Sequence, residues 1–530
     1  MTTSEIAPAA YQLVPLSKLS SNGLSGLLIA DGVGLGKTIS ASLLGVYFSQ
    51  LHGLPTAIVC SPILVTKWLT ELRSKFGLSA FAVRSKEDLV TATNEMRLRP
   101  LNFYVVTSSL LSSGLGEDGL SLGVLIIDEI QNFRNHETRG YAAALALAKR
   151  SKLRVGLSAT PINNSLDDLS SELALLLAED NWEAVSAMVT DLWSWDRERI
   201  TRPLVTRFVK ERLGIHFARR QVRMKSVRFS ADYNRVVDSV LRKRNGEANI
   251  YEIVTYLRMA ASCPELFLKK FGKSKLSKSP DPKLKFVRSE LLASSVTHWL
   301  LFVEFEGTAR YLAANIREKP VFVITGRTPI FERDEIIASF EQSKSGLMIL
   351  TPVGGEGLDL QFCQGVINYD LHWNPMKIEQ RIGRIDRIGQ TKDAIEVINI
   401  RVADSVDDHV LRVIFKKLGL TEKSIFATGD IVFPKREARI QLRQRAFEAE
   451  LNESKQLLSA IRYNDQIGLE EYSLLGEIDD SYCNPAKLRE SALTAPSKLP
   501  WLSSGPAVRG WRRGIEEEAI KLREALSSYS

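Results

Sequence analysis

Gly26-Leu27-Leu28-Ile29-Ala30-Asp31-Gly32-Val33-Gly34-Leu35-Gly36-Lys37-Thr38 decides the fold of this chain of 530 residues. A short apolar run reads as a buried strand, glycines at 32, 34 and 36 as a turn that brings backbone close to something, and Ile39 to Phe48 as a helix. Strand, glycine loop and helix together form a phosphate cradle. Backbone N–H groups and a helix N-terminus meet the phosphate oxygens, Lys37 carries the matching charge, and the Thr38 hydroxyl can ligate magnesium. Gly34, Gly36, Lys37 and Thr38 are therefore candidate nucleotide residues. The generic pattern has glycine where Asp31 stands, so the match to it is imperfect.

A second strand-like run, Val124-Leu125-Ile126-Ile127, ends in Asp128-Glu129. At the C-terminal end of a parallel strand, Asp128 suits magnesium and Glu129 suits orienting and deprotonating an attacking water. Alone, each loop also reads as a glycine turn or a surface acidic pair, but in this order they argue for nucleotide chemistry. Further on, Gly354-Gly355-Glu356-Gly357-Leu358-Asp359-Leu360-Gln361 precedes Trp373-Asn374-Pro375 and Gln380-Arg381-Ile382-Gly383-Arg384-Ile385-Asp386-Arg387-Ile388-Gly389-Gln390. Core packing does not demand that succession. Arg384 and Arg387 read as fingers for a phosphate bound elsewhere in the chain.

From about residue 10 to about residue 420 this set of motifs resembles the Swi/Snf-type ATPases of helicase superfamily two. The family loop Asp-Glu-x-Gly-Leu-Gly-Lys-Thr accounts for Asp31 and leaves Gly32 as a departure. The resemblance assigns Gln12, beside Tyr11, to adenine, and Glu356 and Gly357 to the nucleotide. It assigns Ser61 and Lys67 (with Pro62 and Trp68), Thr107 (with Ser108) and Thr351 to DNA, and Ser158-Ala159-Thr160-Pro161 to coupling phosphate state to the DNA grip. It also tips Trp373 towards DNA, although a Trp before Asn-Pro equally anchors a loop. The arginine stretch is closer in wording to a bacterial branch that includes an RNA-polymerase-recycling ATPase than to eukaryotic chromatin remodellers. The resemblance implies a double-stranded DNA translocase that uses ATP and magnesium, with Glu129, Arg384 and Arg387 as catalytic residues. A strand-separating DNA or RNA helicase, an RNA-polymerase-associated ATPase and an independent motor, such as one serving phage defence, share these motifs.

The chain carries 70 Lys and Arg against 62 Asp and Glu, a net charge of +8. Residues 201–290 alone hold 22 Lys and Arg against 8 Asp and Glu, so the excess is local. Arg219, Arg220, Arg223, Lys225 and Arg228 form one cluster, which suits nucleic-acid phosphates or, blandly, a solvated basic face. Cys60, Cys263, Cys363 and Cys483 are too scattered for a zinc knuckle or a disulfide framework. No apolar run approaches the roughly 18 residues of a membrane span, and the N-terminus lacks the pattern of a signal peptide, so a bacterial cytoplasmic location is expected.

Strand-like runs alternating with helical stretches predict an α/β protein with two RecA-like, doubly wound parallel-sheet lobes. The boundaries expected are residues 1–195 for the first lobe, 196–284 for a basic helical insertion and linker, and 285–420 for the second lobe. A mainly helical C-terminal extension over 421–530 is expected to dock a protein partner or brace the lobes.

Overall fold

The structure, a computed structural model, describes residues 8–22, 25–98, 102–113, 121–159, 166–195, 204–208, 217–244, 250–272, 281–403 and 405, apart from positions 356, 359, 373, 374 and 388. They fall into two compact units, one within residues 1–215 and one beginning at 216.

The first unit is built on seven strands: β1 Gly26–Ile29, β2 Thr56–Cys60, β3 Ala80–Val83, β4 Phe103–Thr107, β5 Leu122–Asp128, β6 Ser151–Leu157 and β7 Val205–Thr206. Their order in the sheet is β3-β4-β2-β5-β6-β1-β7, and every neighbouring pair is parallel. A sheet of this kind is covered on both faces, so its strands read as continuous apolar runs. Alternate residues serve opposite faces. Leu28, Val59, Val106 and Ile127 join one core with Tyr141 and Leu147 of the helix Arg139–Lys149 and Leu169 and Leu173 of the helix Leu166–Leu177. Ile29, Ile58, Val105 and Ile126 join the other, with Leu44 of the helix Lys37–His52 and Trp68 and Leu72 of the helix Val65–Phe76.

The second unit has six strands: β8 Arg219–Val227, β9 His298–Phe302, β10 Val321–Ile324, β11 Gly346–Leu350, β12 Gly365–Asn368 and β13 Ala394–Val402. Their order is β10-β11-β9-β12-β13-β8, again all parallel. In β9, Trp299 and Leu301 face one core, Leu300 and Phe302 the other. The Trp299 indole lies flat across its register partner Gly365, where a Cβ would come within 2.2 Å of the ring, so only glycine fits. Helices Ala231–Arg244, Ile250–Ser262 and Pro264–Lys270 enclose a smaller core around Tyr233, Met259 and Phe267.

Two expected boundaries differ from this arrangement. Residues 196–284 are not wholly a helical insertion, because Arg219–Val227 is the edge strand of the second sheet, paired over nine positions with β13. Its alternation has period two, Arg220, Val222 and Met224 more buried than Arg219, Gln221, Arg223 and Lys225, and the high charge masked that pattern. The first sheet likewise continues past residue 195 through β7. The C-terminal extension of 421–530 lies outside the described residues.

Candidate nucleotide site

In the first unit three strand ends are level, since Leu157 of β6 is the register partner of both Ile29 in β1 and Asp128 in β5. The glycine loop leaving β1 and the carboxylates ending β5 therefore flank Ser158, whose N–H donates to the Ile29 carbonyl at 3.1 Å. Ser158 and Ala159 are buried there, whereas Thr160 and Pro161 lie outside the described residues. Carboxyl ends of parallel strands are where ligands bind in open α/β sheets.

Gly34 and Gly36 adopt φ of 85° and 76°, the left-handed region open to glycine. A Cβ on Gly36 would meet Gln12 Nε2 at 2.7 Å, so Gln12 sits directly on the loop. The Gln12 amide donates to the Leu35 carbonyl at 3.0 Å and accepts from Ala9 N at 3.0 Å, and the Tyr11 hydroxyl donates to the same Leu35 carbonyl at 2.6 Å. The helix Ala10–Asn22 is thereby fastened to the phosphate cradle.

A return of the chain at 204–208, missed from sequence, holds the other side. Ala30 N donates to Thr206 O at 2.7 Å and Gly32 N to Phe208 O at 2.8 Å, while Phe208 N donates to Asp31 Oδ1 at 2.9 Å. Asp31 thus has a structural task that accounts for its place in the loop. Arg207 donates to the Ala30 carbonyl at 3.0 Å. The two-residue β7 offers too little periodicity to be seen in sequence.

Lys37 Nζ donates to the carbonyls of Asp31 at 2.9 Å and Gly32 at 3.4 Å. Burial pushes its pKa down, opposed by the charges of Glu129, Asp31 and Asp128 and reinforced by Arg207. Asp128 shows the complementary effect. Burial and then the Glu129 charge raise it to about 6, although Trp68 Nε1 donates to its Oδ2 at 2.8 Å. Its Oδ1 accepts from Glu129 N at 3.0 Å. Glu129 holds φ 50°, left-handed for a residue with a side chain, and Gln131 donates to its carboxylate. Such strain costs on the order of 1–3 kcal/mol and gathers at functional sites. Magnesium fits the donors here: the Asp128 carboxylate is a hard oxygen ligand, buried and beside the Glu129 charge, so that a cation would stabilise its ionised form, and the Thr38 hydroxyl is a second oxygen.

In the second unit, the helix Pro375–Ile382 leads into the turn that carries the arginines. Arg381 is buried and structural, donating to the Asp370 carbonyl at 2.7 Å and lying 3.7 Å from Glu304. Arg384 and Arg387 are half-buried in the turn itself, where Arg387 Nε donates to the Gly383 carbonyl at 2.7 Å. The glycine-rich loop is tied to this turn by Leu360 N to Arg384 O at 3.3 Å, and Gln390 Nε2 donates to Gln361 O and Ile385 O, each at 2.8 Å. Gly357 has φ 76°, whereas Glu356 and Trp373 lie outside the described residues.

The residues expected to touch DNA meet varied surroundings. Ser61 follows β2 with its hydroxyl buried and no hydrogen-bond partner among the described residues. Lys67 is half-buried, 3.8 Å from Glu71. Thr107 and Thr351 are buried and their hydroxyls accept from Ser109 Oγ and Gly354 N within their own loops, both at 3.4 Å, so these side chains organise strand ends. Arg219 is exposed. Arg220 and Arg223 have carboxylate partners: Arg220 pairs with Glu379 at 2.9 Å and Asp386 at 2.6 Å, and Arg223 with Glu396 at 3.0 Å and also Glu290. Carboxylates of the same unit lie against both charges.

The chain matches the SNF2-related domain over residues 13–250 and the helicase conserved C-terminal domain over residues 282–389. It belongs with the Snf2-type helicase-like ATPases of superfamily two. It is 27% identical over 464 residues to the uncharacterized ATP-dependent helicase YqhH of Bacillus subtilis, covering 80% of this chain and 81% of that protein. It is 27% identical over 470 residues to the probable ATP-dependent DNA helicase CHR12 of Arabidopsis thaliana, covering 79% of this chain and 42% of the relative. Against the RNA polymerase-associated protein RapA of Vibrio cholerae the identity is 25% over 463 residues, covering 72% and 46%. The chain thus spans most of the first relative and less than half of the other two.

Proposed function

We propose that this ATPase is a motor that hydrolyses ATP to move along double-stranded DNA. The bond from Trp68 to Asp128, 2.8 Å, carries the reading. It joins the acid pair of the nucleotide site to the helix Val65–Phe76, which also presents Lys67 and starts beside Ser61 at the end of β2. A change at the phosphates thereby has a path to the residues assigned to the track. The names of relatives that include a DNA helicase support DNA as that track. No described helix is long and apolar enough to cross a membrane.

In the reaction, the Gly34–Gly36 backbone and Lys37 hold the phosphates, Gln12 braces the loop beside the adenine, and Glu129 takes the proton of the attacking water. Magnesium, held by Thr38 and Asp128, would neutralise charge developing on the phosphate oxygens. Arg384 and Arg387 supply the remaining positive charge to the transferring phosphoryl group. Arg384→Ala or Arg387→Ala is expected to lower turnover by roughly three orders of magnitude or more with ATP affinity near wild type, while Lys37→Ala loses affinity itself. The decisive experiment compares ATP hydrolysis with duplex DNA, single-stranded DNA and RNA side by side. Duplex stimulation is the expected result; stimulation by single strands alone points to a strand-separating helicase and overturns the proposal.

A further inference from the structure

Arg220 lies on the more buried face of β8 with Val222, and Val222 packs on the core that contains Ile382 and Ile385. Its guanidinium spans two places in the arginine motif. Nε donates to Asp386 Oδ2 at 2.6 Å, and NH1 donates to Glu379 Oε2 at 2.9 Å and Oε1 at 3.2 Å. Glu379 belongs to the helix Pro375–Ile382, and Asp386 stands between Arg384 and Arg387 in the turn after it. One side chain from outside the motif therefore ties the helix to the turn. The Asp386 side chain is only 2% exposed, so this pairing sets a cation against a buried charge.

We infer that Arg220 is a positioning residue for hydrolysis: its fork to Glu379 and Asp386 sets the turn so that Arg384 and Arg387 present their guanidinium groups in the reactive arrangement. This rests on the proposed role of those two arginines. The geometry is specific to arginine. A planar fork can hold two carboxylates at once, whereas an ammonium at the end of a lysine is a point charge that satisfies one well. Displacement of a catalytic group by about 1 Å can cost about a hundredfold in rate, which sets the size of the expected effect.

The test measures kcat and KM for ATP, with duplex DNA present, in the full chain and in Arg220→Lys, Arg220→Ala, Glu379→Gln and Arg384→Ala. Arg220→Lys keeps a positive charge against buried Asp386 and is expected to melt close to the wild type, yet to lose roughly tenfold in kcat with KM changed less than about twofold. Arg220→Ala is expected to lose roughly a hundredfold. Glu379→Gln, which leaves the Asp386 contact in place, is expected to lose only a fewfold. If Arg220→Ala fails to fold, Arg220→Lys decides alone. Wild-type kcat in Arg220→Lys, or losses that only follow the unfolded fraction, overturn the inference while Arg384→Ala stays inactive. Full turnover in Arg384→Ala instead defeats the underlying reading, and the inference falls with it.

Discussion

Replacing Gly36 by alanine separates the binding geometry of the loop from its contribution to folding. Gly36 sits at φ 76°, and a left-handed conformation costs an L-residue roughly 1–2 kcal/mol. The new methyl group would also lie 2.7 Å from Gln12 Nε2, which must give up its 3.0 Å bond to Leu35 O, a further cost of about 0.5–1.5 kcal/mol. Together these disfavour the phosphate-ready loop by about 1.5–3.5 kcal/mol. Apparent affinity scales with the population of the competent state, so ATP should bind roughly ten- to a few hundredfold more weakly. Gly53 is the internal control: it caps the same helix at φ 63°, but a Cβ there meets nothing within 4 Å. Gly53→Ala should therefore lower the melting temperature while leaving nucleotide affinity intact. Calorimetric titration with ATP and thermal melts of both variants measure the two effects. Binding by Gly36→Ala within threefold of wild type, or an equal loss of affinity in Gly53→Ala, refutes the reasoning.

Glu129→Gln should keep ATP affinity and reduce turnover by roughly two to four orders of magnitude, read by steady-state hydrolysis beside equilibrium binding; ordinary turnover removes Glu129 from its role. With Asp128 raised to about 6, protons compete with magnesium below that pH. The pH–rate profile at limiting magnesium should fall on the acid side of about 6 and shift to lower pH when magnesium is saturating, and a profile indifferent to magnesium contradicts the assigned ligand. The nucleotide-free fold binds this proton more tightly than the unfolded chain, so Asp128 adds stability as pH falls through about 6, and Asp128→Asn should remove that component of the melting curve.

The two-lobe plan and the nucleotide loop were legible because their signals are local. The apolar runs from Gly26 and from Val124 read as strands and fall within β1 Gly26–Ile29 and β5 Leu122–Asp128 to within a residue, and the glycines of the loop are dictated by backbone conformation. β8 was not legible, because its pairing with β13 depends on residues more than 170 positions away and its basic side chains imitate a solvated face. The return at 204–208 was hidden for a related reason: its bonds to Ala30, Asp31 and Gly32 run mainly through backbone, which leaves little trace in residue type. The arginines at 384 and 387 announced themselves by spacing, but the same spacing includes Arg381, and only burial distinguishes the structural member of the series.

The nine-position ladder between β8 and β13 also determines how the second unit answers to mechanical load. The described part of that unit begins just before the Arg219 end of β8, and tension applied at that end along the strand axis loads the ladder lengthwise. A parallel ladder loaded along its length is sheared, with its evenly spaced bonds sharing the force instead of opening one after another. The Arg220 pairs to Glu379 and Asp386 sit at the end where that force arrives. Rupture under load is governed by the rate of unfolding, so this seam can be kinetically durable even in a unit of ordinary equilibrium stability.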